Sequence, residues 1–170
     1  MTLSDLNELS SQDAFTAFSS CCSSESWIKA MVNARPFADH AAMQQVALDI
    51  WNDLNEQDYL QAFEGHPKIG DVNSLRKKYA STKGLASNEQ SGVNSADEST
   101  LVELAQANDE YFDKNGFIFI VFATGKSAAQ MLEILKTRLP NDRATEIQNA
   151  AIEQSKITAL RLDKLLGLAA

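Results

Sequence analysis

The residues best suited to chemistry in this chain are His66, Glu89, Gln90 and Arg161. His66 lies in Glu64-Gly-His-Pro-Lys-Ile-Gly-Asp71, after a helix-ending glycine and before Pro67, and a proline restricts the backbone of the residue preceding it. An imidazole titrates near neutrality and can give or take a proton without a metal, so a rigidly placed one suits proton transfer. Taken alone, a loop histidine before proline is more often a cap or a surface residue. Glu89 and Gln90 fall in Ala86-Ser-Asn-Glu-Gln-Ser-Gly92, where a carboxylate beside an amide could both accept and donate hydrogen bonds to a urea-like ligand. The plainer reading is a solvated loop carboxylate.

Arg161 is singled out by its place on a helix. At about 100° per residue, Ile147, Ala150, Ala151, Ile157, Thr158, Leu162 and Leu165 form one apolar arc, and Arg161 and Gln154 fall inside it. A guanidinium directed at a core is costly unless it is paired or holds an anionic or carbonyl-rich ligand; otherwise its stem packs while its head reaches water. Three other features carry less. Thr124-Gly125-Lys126-Ser127 before a helix invites comparison with a phosphate-binding loop, but Ile120 stands where that motif needs a glycine, so the segment reads as an ordinary capped helix start. Cys21 and Cys22 are sequence neighbours that rarely reach disulfide geometry, and read as packing thiols in a reducing compartment. His40 and His66 have no zinc-like spacing to other ligands, so no metal is expected.

The elements that must position these groups are mostly helical. Met43, Ala47, Ile50, Trp51 and Leu54 recur at helical spacing between Asp39 and Leu60, with Gly65 and Pro67 as the stop. Ser95-Ala-Asp-Glu98 reads as a capping box opening a helix through Leu101, Leu104, Ala105, Tyr111 and Phe112, which Lys114-Asn115-Gly116 closes. A further helix is predicted from about Ser127 to Leu139, ending at Pro140, and the longest from Asn141 or Asp142 to about Leu166. Two stretches break this rhythm. Residues 65–92 form polar loop sequence with a short basic helix around Ser74 to Tyr79. Gly116-Phe-Ile-Phe-Ile-Val-Phe-Ala123 has strand-like composition but no second strand to pair with, so it reads as a buried extended segment or a helix start.

Composition narrows the class. The chain has 170 residues, enough for one domain with its own core, and a single domain over residues 1–170 is expected. A net charge of -8 argues against a nucleic-acid or anionic-membrane partner. No segment approaches the roughly 20 apolar residues of a membrane span, and the first residues lack a basic signal-like region. A soluble cytoplasmic protein is expected.

Four motifs then occur in one order: Gly65-His-Pro-Lys-Ile-Gly70, Ser87-Asn-Glu-Gln-Ser91, Gly116-Phe-Ile-Phe-Ile-Val-Phe-Ala123 and Glu153-Gln-Ser-Lys-Ile-Thr-Ala-Leu-Arg-Leu162. Together, over about Phe15 to Leu166, the chain resembles the 2-oxo-4-hydroxy-4-carboxy-5-ureidoimidazoline (OHCU) decarboxylase family. The resemblance implies an all-α fold, commonly a homodimer, which turns a ureidoimidazoline into (S)-allantoin and carbon dioxide in urate breakdown without a cofactor. It places the catalytic histidine at His66 and its proline at Pro67. The loop carboxylate and amide fall at Glu89 and Gln90, with Ser87 and Asn88 beside them. The pocket-lining backbone falls at Phe119, Ile120, Val121, Phe122 and Ala123, and the arginine of the last helix at Arg161. Eukaryotic relatives may end in a peroxisomal tripeptide; this chain ends Leu168-Ala-Ala170, which fits a bacterial-type cytoplasmic enzyme.

In the implied substrate the carboxylate sits beside a ring C=N that can take its electrons, which is why no cofactor is expected. His66 is then the principal acid/base group and the proton donor, and Glu89 positions or polarises the ureido and hydroxyl end. Gln90 and the main chain of 120–123 hold amide-like edges. Arg161 grips carbonyl oxygens, since tight pairing with the departing carboxylate would stabilise the ground state. The alternative is a helical interaction module, with Arg161 paired to a core carboxylate and the long loop binding a protein. Convergence of His66, Glu89 and Arg161 separates the two readings.

Overall fold

Capping residues divide the chain into its elements. The computed structural model describes residues 1–68, 71–83 and 91–170. Among them all regular structure is helical: α1 (Leu3–Glu8), α2 (Ser11–Ser19), α3 (Glu25–Ala34), α4 (His40–Asn52), α5 (Glu56–Glu64), α6 (Val72–Lys83), α7 (Ser91–Asn115), α8 (Ala128–Arg138) and α9 (Arg143–Leu165). Thr2, Ser10, Ser24, Asp39, Asn55 and Ser127 each accept a backbone N–H of the turn that follows, a contribution of about 1 kcal/mol per helix start. The fold class is all-α, as the sequence predicts. Among the described residues no helix is long and apolar enough to cross a membrane.

The chain packs as two compact units, residues 1–66 with 147–170, and residues 67–146. In the first, α1 to α5 and most of α9 bury Leu6, Phe18, Trp27, Met31, Met43, Phe63 and Leu162 almost completely. The two indoles lie in the core without losing a hydrogen bond: Trp27 Nε1 donates to Ala47 O at 3.1 Å and Trp51 Nε1 to Ala151 O at 2.9 Å. The second unit packs α6, α7 and α8 around Leu75, Leu101, Leu104, Tyr111, Met131 and Leu135.

Three boundaries differ from the sequence expectation. The periodicity from Asp39 to Leu60 is broken at residues 53–55, because Asn55 and Asp58 form a reciprocal capping box that starts a new helix; the apolar spacing alone runs through this joint. The helix expected to open at the Ser95 capping box begins at Ser91, since a capping-type residue inside a helix costs only about 0.5 kcal/mol. The short basic helix is the longer α6. By contrast, α8 starts at the expected place, with Ser127 and Gln130 making the capping box. Residues 118–123 carry no regular secondary structure, and there is no strand among the described residues.

Candidate active site

His66 is placed by the end of α5. The helix stops at Gly65, whose N–H bonds back to Ala62 O at 3.2 Å, and His66 N bonds to Phe63 O at 3.2 Å. Gly65 has an ordinary right-handed backbone, φ -71°, so the glycine is needed for space: a Cβ there would lie 2.0 Å from Ser23 Oγ and 2.6 Å from Ser23 Cβ. This close approach brings the residue after α5 up to the inward face of α9. His66 Nε2 meets Gln154 Oε1 at 2.5 Å, and Gln154 Nε2 donates to Thr158 Oγ1 at 3.1 Å. Gln154 and Thr158 are buried, and His66 is half-buried.

Burial pushes the His66 pKa below its ordinary value; the Gln154 hydrogen bond opposes this, and the Arg161 charge lowers it further. The ring is therefore neutral at neutral pH. Arg161 is half-buried, and among the described residues its one hydrogen bond runs from Nη1 to Cys21 O at 3.4 Å. No carboxylate among them pairs with it, so most of its five N–H donors remain for another group. Cys21 and Cys22 are free and buried. Burial raises both thiols, Cys22 to about 11, so both are protonated packing groups near neutrality.

The second unit holds the expected backbone segment. Phe119, Ile120 and Val121 are buried, and Phe122 and Ala123 half-buried. Arg138, which the sequence reading passed over, fixes the segment: Nη1 donates to Ile120 O at 2.6 Å. Its Nε pairs with Glu146 at 2.7 Å, and Tyr111 donates to the same carboxylate at 2.6 Å. Burial, then the Glu146 bond, holds the Tyr111 phenol well above its usual range. Lys126 Nζ also donates to Phe122 O at 2.7 Å. A terminal helix arginine ordinarily reads as a solvated dipole partner; only the apolar stripe through Met131 and Leu135 hinted that Arg138 turns inward.

Of the expected site residues, the structure places His66 and Arg161 in one unit, with His66 bonded to Gln154 of α9 and the charge of Arg161, about two turns further along the same helix, acting on the ring. Ser87, Asn88, Glu89 and Gln90 lie outside the described residues. Pro67 is exposed. Among the described residues, no group of three or more His, Cys, Asp or Glu side chains is arranged to hold a metal ion. A cavity of about 580 Å³ in the first unit is lined by Trp27, His40, Gln44, Leu48, Trp51 and Thr158 among others, but by neither His66 nor Arg161.

The family pattern described as OHCU decarboxylase matches residues 7–163. The chain belongs to the OHCU decarboxylase family. It is 39% identical over 148 residues to the uric acid degradation bifunctional protein TTL of Arabidopsis thaliana, covering 86% of this chain and 45% of that protein. It is 25% identical to the 2-oxo-4-hydroxy-4-carboxy-5-ureidoimidazoline decarboxylase of Halalkalicoccus jeotgali, covering 97% of this chain and 92% of that one. The chain thus spans less than half of the bifunctional relative and nearly all of the Halalkalicoccus one. Among solved structures, an OHCU decarboxylase crystallised in the presence of (S)-allantoin is similar, with TM-score 0.69, 36% identity, and 88% of this chain and 96% of that chain covered. The all-α architecture is that of this decarboxylase family, and the match spans both compact units.

Proposed function

We propose that this chain catalyses the cofactor-free decarboxylation of 2-oxo-4-hydroxy-4-carboxy-5-ureidoimidazoline to (S)-allantoin and carbon dioxide, as a cytoplasmic homodimer. The observation that carries the reading beyond family membership is a half-buried Arg161 whose charge acts on His66, with no carboxylate partner for the guanidinium among the described residues. An interaction module of the kind weighed above needs Arg161 in a core ion pair. An enzyme needs it open toward a ligand with carbonyl oxygens.

The chemistry follows from the substrate's own bonds. As carbon dioxide leaves, the C–C bonding pair forms a double bond to the ureido-bearing carbon, and the ring C=N pair moves onto nitrogen, which takes up one proton from solvent. The resulting enol then rearranges: its hydroxyl gives a proton to His66, the oxygen becomes a carbonyl, and His66 returns the proton to one face of the ureido-bearing carbon. A neutral imidazole suits the first half of this exchange, and its imidazolium the second. Arg161 stabilises negative charge spreading onto ring or ureido oxygens. We assign Glu89 to the ureido and hydroxyl end, and Pro67, Ser87, Asn88, Gln90 and the backbone of 119–123 to substrate binding.

The test is to generate the unstable substrate freshly from urate and follow circular dichroism with and without the protein. The protein accelerates the appearance of the (S) product alone, and His66→Asn loses about a hundredfold or more of the turnover. Equal rates with and without protein, or a racemic product, would sink the reading.

A further inference from the structure

Gln154 is held at both ends. Its side chain is 1% exposed, and both ends of the amide are engaged, Oε1 by His66 at 2.5 Å and Nε2 by Thr158 Oγ1 at 3.1 Å. The NH2 of Gln154 donates to the Thr158 hydroxyl, which leaves the carbonyl oxygen facing the imidazole. A carbonyl oxygen only accepts. Nε2 of His66 therefore carries a proton whether the ring is neutral or charged, and in the neutral ring the lone pair is on Nδ1. Among the described residues, Nδ1 makes no hydrogen bond.

We propose that Gln154 is a positioning residue that locks His66 as its Nε2–H tautomer and so makes Nδ1 the nitrogen that exchanges a proton with the substrate. Free imidazole rings interconvert between tautomers, and a ring with the wrong nitrogen protonated meets the substrate hydroxyl with an N–H where a lone pair is required. The lock removes that state. It also sets the plane of the ring, because a bond of 2.5 Å to a buried amide leaves little freedom of rotation. The tautomer arm of this inference stands alone; its kinetic arm rests on the decarboxylase reading.

The sequence holds only two histidines, so nitrogen NMR of protein labelled at histidine reads His66 directly, with a His40→Gln variant for assignment. In the native protein His66 shows a protonated Nε2, an unprotonated Nδ1 and a slowly exchanging Nε2–H proton. Gln154→Leu loses that proton signal, mixes the tautomers and lowers kcat about ten- to a hundredfold, with KM little changed because Gln154 does not hold substrate. If Gln154→Leu does not fold, Gln154→Glu decides. Its carboxylate keeps the Nε2–H signal and moves the His66 titration to higher pH, against the Arg161 charge on α9, while the nearby Cys22 thiol stays neutral. An Nδ1–H tautomer in the native protein, an unshifted titration in Gln154→Glu, or a Gln154→Leu variant with native tautomer and kcat overturns the proposal. The Nε2–H signature without any allantoin formation leaves the lock standing and removes the activity reading instead.

Discussion

Around Arg138 the protein buries an ion pair; around His66 it buries a polar chain with no carboxylate among its described members. In the Arg138 network every group is answered. Arg138 bonds Glu146, Ile120 O and the Tyr111 hydroxyl, and Asn141 donates to the second Glu146 oxygen at 2.9 Å. In the His66 network the amide of Gln154 and the hydroxyl of Thr158 are answered, while Nδ1 of His66 and most of Arg161 are not, among the described residues. A closed network holds a backbone segment in place. An open one has donors and acceptors left for a visitor, which separates a structural arginine from a functional one better than burial does.

The comparison breaks most visibly at Glu146. Replacing it with Gln leaves Arg138 buried without its counter-charge, and loss of one partner of a buried pair costs about 3–5 kcal/mol. Urea unfolding monitored by tryptophan fluorescence should show a drop of that size. A loss below about 1 kcal/mol would mean that the cluster is solvated in solution and not the closed network described here. Arg161→Ala gives the opposite pattern. Its stability changes by less than about 1 kcal/mol, since no ion pair is broken, while kcat/KM falls about a hundredfold, in the range for removal of one stabilising donor group. Equal damage to stability and rate would place Arg161 with Arg138 as a structural residue.

Gly65 links the open network to its scaffold and has a smaller effect. A methyl group at this position meets Ser23 at 2.0 Å from Oγ and 2.6 Å from Cβ, closer than real atoms approach, so α5 or the Ser23 segment must shift. Overpacking of this kind costs about 1–3 kcal/mol. Because the shift moves the backbone immediately before His66, Gly65→Ala should also weaken the Nε2–H signal of His66. Pairing Gly65→Ala with Ser23→Gly should restore both; failure of that rescue would show that the glycine serves some purpose other than space.

The sequence made the later helices legible because caps and stops coincide with the apolar period: Ser127 opens α8, and Gly116, at φ +80°, follows α7. It missed the joint between α4 and α5, where the apolar spacing stays in phase and only Asn55 and Asp58 mark the break. Arg161 was legible on a helical wheel, since the wheel needs only local spacing. Gln154 fell on the same arc, but its partner His66 is 88 residues away, and no periodicity carries that pairing. Arg138 was invisible for a related reason. Its burial depends on Glu146 beyond the Pro140 turn, whereas taken alone a basic residue in the last turn of a helix belongs in solvent.

The smallest effect expected is on stability as a function of pH. The ordinary histidine value of 6.5 describes the unfolded chain, and burial lowers it in the folded one. Between those two values the unfolded chain binds a proton that the folded protein refuses, so stability is complete above 6.5 and declines as pH falls toward the folded value. The difference in unfolding free energy between native protein and His66→Asn isolates this contribution from every other group that titrates in the same range. It should be flat from neutral pH down to about 6.5 and then shrink to the native protein's disadvantage. In Gln154→Glu the new carboxylate faces Nε2 and favours the imidazolium, so the decline should be reduced or reversed. A slope of the opposite sign in the native protein would mean that folding favours the charged ring, and the contrast between an open network around a neutral ring and a closed ion pair would no longer hold.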